Sequence, residues 1–329
     1  MAQAITWGII GCGDVAEQKS GPAFNKVKES SLLAVMRRNL NLASDYASRH
    51  GVPEFYNEAD RIIHHPSINA VYIATPPDTH EKYCMACLKA GKNVYVEKPM
   101  ALHHVSAKKM MTAATKYERK LVIAHYRRAQ PKFIKVKQLL DGNHIGNILF
   151  VKLSFRRQLL TTIDLSQPAN AWRIDPSKSG GGLFHDLAPH QLGLMYYFFG
   201  EAAAASGFSG NRSGAYDADD LVCGNILFKT GVQFSGDWCF CSSPQNEKDS
   251  CEIFGSKGSI SFSVFGTPEI VLQKHDDVSV INFDVLEHVQ QPLIAQTVQY
   301  FLGKKENPCP PAEGVAVMKW LDIFTRKVK

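Results

Sequence analysis

The sequence lacks any long hydrophobic run. Its longest apolar stretches, such as residues 194–199, fall far short of the roughly 20 residues that a bilayer-spanning helix requires. The N-terminal stretch has no basic patch followed by an apolar core and a cleavage site, so a signal peptide is not expected and a cytoplasmic address is. A long basic stripe is missing too. The formal net charge is +6, yet Lys and Arg gather no more densely than in the pairs Arg37-Arg38, Arg127-Arg128 and Arg156-Arg157. A nucleic-acid-binding surface usually shows a longer run, so no nucleic-acid partner is expected, and the charge reads as local, aimed at phosphates or an acidic ligand. Zinc-type spacing is absent as well: of eight cysteines, Cys84 and Cys87 form a CxxC on a helical pattern, with no second pair at ligand distance. No metal is expected, and these thiols read as small buried hydrophobes. Cys239 and Cys241 alternate on a strand pattern and share a face, but a reducing compartment disfavours a disulfide between them. Internal repeats, low-complexity tracts and long linkers are likewise missing.

What is present is ordinary globular composition, 45% hydrophobic and 21% charged over 329 residues, enough for two domains. Through residue 125, short apolar strand patterns (5–10, 32–36, 70–74, 93–97 and 120–124) alternate with helical ones (14–28, 42–50, 58–64, 79–90 and 103–117). Continuous apolar strands separated by helices predict a parallel sheet covered on both faces, the doubly wound α/β arrangement of a Rossmann domain, with ligands at the carboxyl ends of its strands. Beyond residue 133 the rhythm changes. A strand pattern at 148–155, an irregular region and an apolar helix over 183–199 lead to strand patterns at 222–228, 232–239, 251–254 and 259–262, with helices near 292–302 and 312–325. This predicts an α+β domain with an open, mostly antiparallel sheet, and a division into a dinucleotide-binding domain 1–125 and a substrate-binding and oligomerisation domain 126–329.

Between the first strand and the first helix stands Gly11-Cys-Gly13-Asp14-Val15-Ala16, a G-x-G-x-x-A turn. Gly11 permits the tight turn, Gly13 lets the backbone approach a pyrophosphate, and Ala16 keeps the helix close to the sheet. The end of the second strand then discriminates between cofactors. A carboxylate there would accept the adenosine ribose hydroxyls, whereas this chain reads Arg37-Arg38-Asn39. A guanidinium fork suits a 2′-phosphate, so NADP(H) is expected over NAD(H).

After the fourth main strand comes Glu97-Lys98-Pro99, whose bond from Lys98 to Pro99 is a candidate for the cis form. A lysine at the carboxyl edge of the sheet can reach a nicotinamide ribose and a substrate oxygen, stabilising a developing alkoxide. Further on, the glycine run 180–182 precedes Asp186 and His190, four residues apart and therefore on one helix face. Such a histidine can carry the proton that accompanies hydride transfer while the carboxylate orients it or binds substrate.

These features, with Ala74-Thr75-Pro76-Pro77-Asp78-Thr79-His80 and Trp172-Arg173, resemble the Gfo/Idh/MocA family (glucose–fructose oxidoreductase / inositol dehydrogenase) over nearly the whole chain. The resemblance implies an NAD(P)-dependent oxidoreductase acting on CH–OH groups, with Lys98 and His190 as the catalytic pair and Asp186 assisting. It also implies Thr75, Pro76 and His80 along the cofactor channel and Trp172 and Arg173 near the nicotinamide. The candidate cofactor residues are thus Gly11, Gly13, Asp14, Val15, Arg37, Arg38, Thr75, Pro76, His80, Glu97, Lys98, Trp172 and Arg173. A homodimer or homotetramer through the open sheet is implied in the same way.

Two departures stand out: Arg37 occupies the place of a serine often found before the arginine in NADP-preferring members, and His185 stands where an apolar residue is usual. At helical spacing His185 points away from His190, so packing is expected of it. The dihydrodiol dehydrogenases of this fold tend to have Tyr at the position of His190, which tilts the expected substrate toward a sugar or polyol. Arg156, Arg157, Arg173 and Lys178 form either a basic rim suited to an anionic ligand or a set of surface and cofactor contacts. Two alternatives accompany the oxidoreductase reading: a redox-neutral, NAD-dependent glycosidase-type member, and a non-catalytic dinucleotide-binding regulator. The Arg37-Arg38 pair weighs against the first, and the presence of Lys98 and His190 against the second.

Overall fold

The computed structural model describes residues 4–325. Contacts divide the chain into two compact units, one running to Ala129 and adding Leu286–Val315, the other comprising Gln130–Val285 and the residues from Ala316 onward.

The first unit is built on six parallel strands, β1 (Ile5–Ile10), β2 (Ser30–Met36), β3 (Glu54–Tyr56), β4 (Ala70–Ile73), β5 (Asn93–Val96) and β6 (Leu121–Ile123), in the order β3-β2-β1-β4-β5-β6. Strands β4 and β6 are buried at every residue, which is why they read as unbroken apolar runs rather than alternating ones. The edge strand β3, only Glu-Phe-Tyr, carries no such run and escapes the sequence pattern. The helix expected over 14–28 is interrupted. A π-type turn at Ala16–Ser20 gives way at Gly21-Pro22 to the short helix Ala23–Lys26. Two causes coincide at the break: Pro22 has no N–H to continue the ladder, and a Cβ on Gly21 would lie 1.9 Å from the Tyr46 hydroxyl.

Residues 286–315, expected in the second domain, pack with the first. The fully buried Trp7 ring packs at 5.6 Å, tilted by 34°, against Phe301 from the helix Gln291–Phe301. Lys120 Nζ donates to the last carbonyls of that helix, at Tyr300 (2.6 Å) and Phe301 (3.2 Å). The backbone N–H of Ile123 then donates to the Cys309 carbonyl, extending the pairing beyond β6. The division is therefore not one of two contiguous segments, because the apolar helix Gln291–Phe301 returns to the core of the first unit.

The second unit carries an eight-stranded sheet, β7 (Ile148–Gln158), β8 (Ala202–Gly210), β9 (Leu221–Phe228), β10 (Gln233–Ser242), β11 (Lys248–Gly255), β12 (Gly258–Phe262), β13 (Glu269–Lys274) and β14 (Asp277–Asn282). Their order is β14-β13-β12-β11-β7-β10-β9-β8, antiparallel throughout except for the β7–β10 pair. Burial alternates strictly along β9 and β10, so one face is apolar and covered and the other is open. On the covered face Trp238 is fully buried and donates to Gln191 of the helix Gly182–Phe199 at 2.6 Å. The irregular region before that helix contains three short helices, Thr162–Ser166, Pro168–Ile174 and Pro176–Ser179, two of them opened by proline.

Phe324 of the terminal helix Pro311–Phe324 lies flat on β9 because residue 224 is glycine, and a Cβ there would sit 2.3–2.6 Å from three of its ring carbons. Gly224→Ala should therefore cost about 1–3 kcal/mol in urea unfolding, and Phe324→Leu in the same chain should recover part of that loss. Additive losses would mean that Gly224 matters for some other reason.

Candidate active site

The glycine turn lies at the carboxyl end of β1. Gly11 has φ +97°, and a Cβ on it would fall 2.8–2.9 Å from Thr75 and Ala74 in the loop after β4. Only glycine satisfies both the backbone angle and the close approach. At Gly13, by contrast, a Cβ would meet nothing within 4 Å, so the space beside it is open. The first helical bond runs from the Glu17 N–H to the Gly13 carbonyl (2.9 Å), which leaves the N–H groups of Asp14, Val15 and Ala16 ahead of the ladder. An open space faced by N–H groups fits a diphosphate. Cys12 is buried, and burial pushes its thiol up to about 11, so it fills space as a neutral group.

At the end of β2, Arg37 is half-buried and Arg38 exposed, and among the described residues neither guanidinium makes an ion pair. Asn39 accepts from Leu42 N–H and caps the helix Leu40–His50. Glu17, directly after the glycine turn, is claimed by Arg49 and His50. The hydrogen bond from Arg49, ahead of the contributions of His50, holds its carboxyl down at about 2. The edge of β1 and β2 thus presents cationic groups with no competing free carboxylate on Glu17.

At the carboxyl ends of β4 and β5 the candidate residues separate into two kinds. Thr75 and Pro76 lie half-buried on a loop stiffened by Thr79, whose hydroxyl lies 2.7 Å from Thr75 Oγ1. His80 and Glu97 are buried instead. The His80 ring spans the carbonyls of Thr75 (2.7 Å) and Pro99 (3.0 Å), and burial lowers its pKa although both carbonyls pull it upward. Glu97 accepts from Tyr72 Oη (2.6 Å), Gln290 Nε2 (2.6 Å) and the N–H of Lys98 (3.1 Å). Both act by holding the chain around Lys98, which is half-buried and joined to Pro99 by a cis bond.

One residue at this edge was missed. His125 lies two residues beyond the end of β6, and the Ala124 N–H bonds to the Val96 carbonyl, so the chain leaving β6 runs beside that leaving β5. Its imidazole is buried, its Nδ1 has no partner, and burial followed by the charges of Arg128 and Lys98 lowers its pKa to about 3. The rule that ligands gather at strand carboxyl ends could have found it.

In the second unit the run 180–182 lets the chain turn tightly into the helix Gly182–Phe199. Gly180 (φ +91°) and Gly182 (φ +76°) take left-handed angles, and a Cβ on Gly181 would lie 2.2 Å from the His185 ring. His185 therefore packs over the glycine backbone. Asp186 and His190 are both buried on this helix. The carboxylate of Asp186 accepts from Arg173 Nε at 3.0 Å, and the Arg173 guanidinium lies 4.7 Å above the Trp172 ring. His190 meets Phe265 edge-on, with ring centroids 5.4 Å apart. Phe265 is the second missed residue; no local pattern marks it, because it reaches the site only through the pairing of β12 and β13. The suspected basic rim is largely neutralised: Arg156 pairs with Asp237 (2.9 Å), Arg173 with Asp186 and Lys178 with Asp175 (3.2 Å), while Arg157 lies over the Phe155 ring.

Cys84 and Cys87 are fully buried, and burial pushes the Cys87 thiol up to about 12. Among the described residues no group of three or more His, Cys, Asp or Glu could hold a metal ion, and no helix is long and apolar enough to cross a membrane.

Residues 5–125 match the family model described as the oxidoreductase family, NAD-binding Rossmann fold, of the GFO/IDH/MocA group, and residues 133–261 match its C-terminal domain. The chain is 45% identical over 324 residues to a protein of Formosa agariphila named Oxidoreductase P35, covering 98% of this chain and 99% of that one. It is 26% identical over 266 residues to the trans-1,2-dihydrobenzene-1,2-diol dehydrogenase of Mus musculus, with 80% and 76% covered. In fold it is similar to a levoglucosan dehydrogenase solved with NADH and levoglucosan, at a TM-score of 0.88, 22% identity and 98% and 96% coverage.

The depressed pKa of His125 gives a sign to the acid response. Between its ordinary value of 6.5 and about 3, the unfolded chain binds a proton that the native state refuses, so stability falls as pH drops through that window. His125→Phe should flatten the fall by up to about 1.4 kcal/mol per pH unit, read from urea unfolding above and within the window. An unchanged slope would show that the imidazole is protonated in the native protein.

Proposed function

The chain belongs to the GFO/IDH/MocA oxidoreductase family, and we propose that it transfers a hydride between NADP(H) and a carbonyl or secondary alcohol of a sugar, polyol or related substrate. The observation that carries the cofactor half is the end of β2, where two guanidinium groups make no ion pair among the described residues and no carboxylate follows the strand. A 2′-phosphate would find two fork-shaped donors there and no repulsion. The diphosphate would lie beside Gly13, against the N–H groups of Asp14 and Val15, while Thr75 and Pro76 line the path toward Lys98.

The cofactor, when bound, supplies or accepts the hydride. Lys98 would donate a hydrogen bond to the reacting oxygen and stabilise its developing negative charge. His190 would give or take the accompanying proton. Asp186, one turn earlier on the same helix face, would assist through Arg173, whose charge it balances. Glu97 and His80 would serve the cofactor end indirectly, by fixing the backbone on both sides of Lys98. The matched charges of Arg156, Arg173 and Lys178 support a neutral substrate over an anionic one, and so favour sugars and polyols. We further propose a homodimer or homotetramer in which a second copy covers the open face of the second sheet, where the exposed Phe150 and Leu227 line a cavity of about 550 Å³ and Phe208 is also exposed.

Fluorescence titration of the stripped protein with NADPH and with NADH tests the cofactor reading. NADPH should bind the more tightly, and Arg38→Ala should narrow the difference. Tighter NADH binding, or an NAD that cannot be stripped, would point to the redox-neutral chemistry instead. Lys98→Ala should keep NADPH binding while turnover drops by about two or more orders of magnitude; turnover that survived would remove Lys98 from the chemistry.

A further inference from the structure

Phe265 stands on the turn 263–267 between β12 and β13, and that turn is gripped from both sides by charged groups. The carboxylate of Asp249, on β11, accepts the backbone N–H groups of Val264 (3.0 Å), Phe265 (2.5 Å) and Gly266 (2.9 Å). The ammonium of Lys132, on the helix Pro131–Asp141, donates to the carbonyls of Ser263 (2.7 Å) and Thr267 (2.6 Å). Ser263 Oγ closes the loop with a further bond to the Thr267 carbonyl at 3.1 Å. Lys132 is itself buried. Taking an ammonium out of water is unfavourable unless hydrogen bonds replace its hydration, and these carbonyls do so. An ordinary hairpin tip needs no such arrangement.

The consequence is the placement of one aromatic ring. Phe265 is half-buried between the buried Val264 and the exposed Gly266. Its ring lies 5.1 Å from that of Phe155, which anchors it to the core, and 5.4 Å from His190 at 85°, edge to face. The half-buried ring is thus held against the core on Phe155 and set edge to face with the imidazole.

We propose that Phe265 is a specificity-determining residue, the apolar wall that receives the C–H face of a ring-shaped polyhydroxy substrate at His190, and that Asp249 and Lys132 are the positioning residues that set it there. This rests on the reading of His190 as proton carrier. A sugar or cyclic polyol has polar edges and an apolar C–H face, and a rigid aromatic surface next to the proton carrier selects for that face and keeps water from the imidazole. A flexible turn would do neither, since side-chain ordering would have to accompany each binding event.

The test uses the full chain with ¹⁵N-labelled histidine, comparing wild type, Phe265→Ala, Asp249→Ala and the double variant by the pH titration of the His190 ring resonance and by kcat and KM. Phe265→Ala should move the His190 resonance and its midpoint, and should raise KM for the sugar or polyol by roughly tenfold or more, while NADPH affinity stays within about twofold. Asp249→Ala should reproduce both changes, and the double variant should be no worse than either single one. Asp249→Asn, which keeps the shape and removes the charge, serves where Asp249→Ala does not fold. Additive effects, or a His190 resonance and KM untouched by Phe265→Ala, would overturn the proposal. The resonance is read without turnover, so a wild type that converts no sugar or polyol counts against the functional reading, while the spectrum alone then decides whether Asp249 places Phe265 on His190.

Discussion

A buried carboxylate whose described hydrogen-bond donors are a phenol, an amide and a backbone N–H organises the first unit. Glu97 directly follows β5 at 5% exposure and is satisfied by Tyr72 Oη, the Gln290 amide and the N–H of Lys98. A carboxylate taken out of water without donors would be strongly destabilising, so each donor is obligatory. Together they tie β4, β5 and the returning segment 286–315 to one point. The network continues outward, since Tyr95 donates to Gln290 Oε1 at 2.9 Å and the Ser20 hydroxyl lies 3.1 Å from Tyr72 Oη. Ser20 is also the last residue of the turn that follows Gly13. Glycine turn, sheet and Lys98 backbone are therefore held through a common set of hydrogen bonds, in a part of the fold where dispersion alone would tolerate small shifts.

The second unit reaches similar rigidity by local charge pairing. Asp186 is matched by Arg173, the turn bearing Phe265 by Asp249 and Lys132, and Asp220 accepts the N–H groups of Arg212 and Ser213 in the loop before β9. In the last two cases a charged side chain stabilises a segment that lacks regular structure of its own, and in the first it joins a short helix to the long one. The apolar face of the sheet, with Trp238 and Phe324 against the helices, provides the core against which these loops are set. Burial of apolar area holds the unit together; the charged contacts decide which conformation its irregular segments adopt.

Local chemistry made much of this legible. The alternation of apolar strands and helices disclosed the parallel sheet, because strands buried on both faces leave an unmistakable run of Val, Ile and Ala. The glycine turn was readable for the same kind of reason: Gly11 is needed where φ is +97° and a neighbouring backbone lies too close for any side chain. The break at Gly21-Pro22 is not visible in the apolar periodicity of residues 14–28, which continues across it, although Pro22 lacks the N–H that a continuous helix needs.

What the sequence by itself determined is the class of fold, the family and the positions at which a glycine, an arginine pair, Lys98, Asp186 and His190 would stand, because each depends on a residue and its near neighbours. The tertiary structure decided the partners. That Glu97 faces Gln290 across 193 positions, that Asp186 meets Arg173, that His80 holds two carbonyls and that Phe265 lies on His190 all depend on which strands and helices are brought together. Hydrogen-bond partners far apart in the chain leave no periodicity behind them. Burial, which decides whether a histidine such as His125 is neutral, is set by the whole surrounding core and not by the six or seven residues on either side.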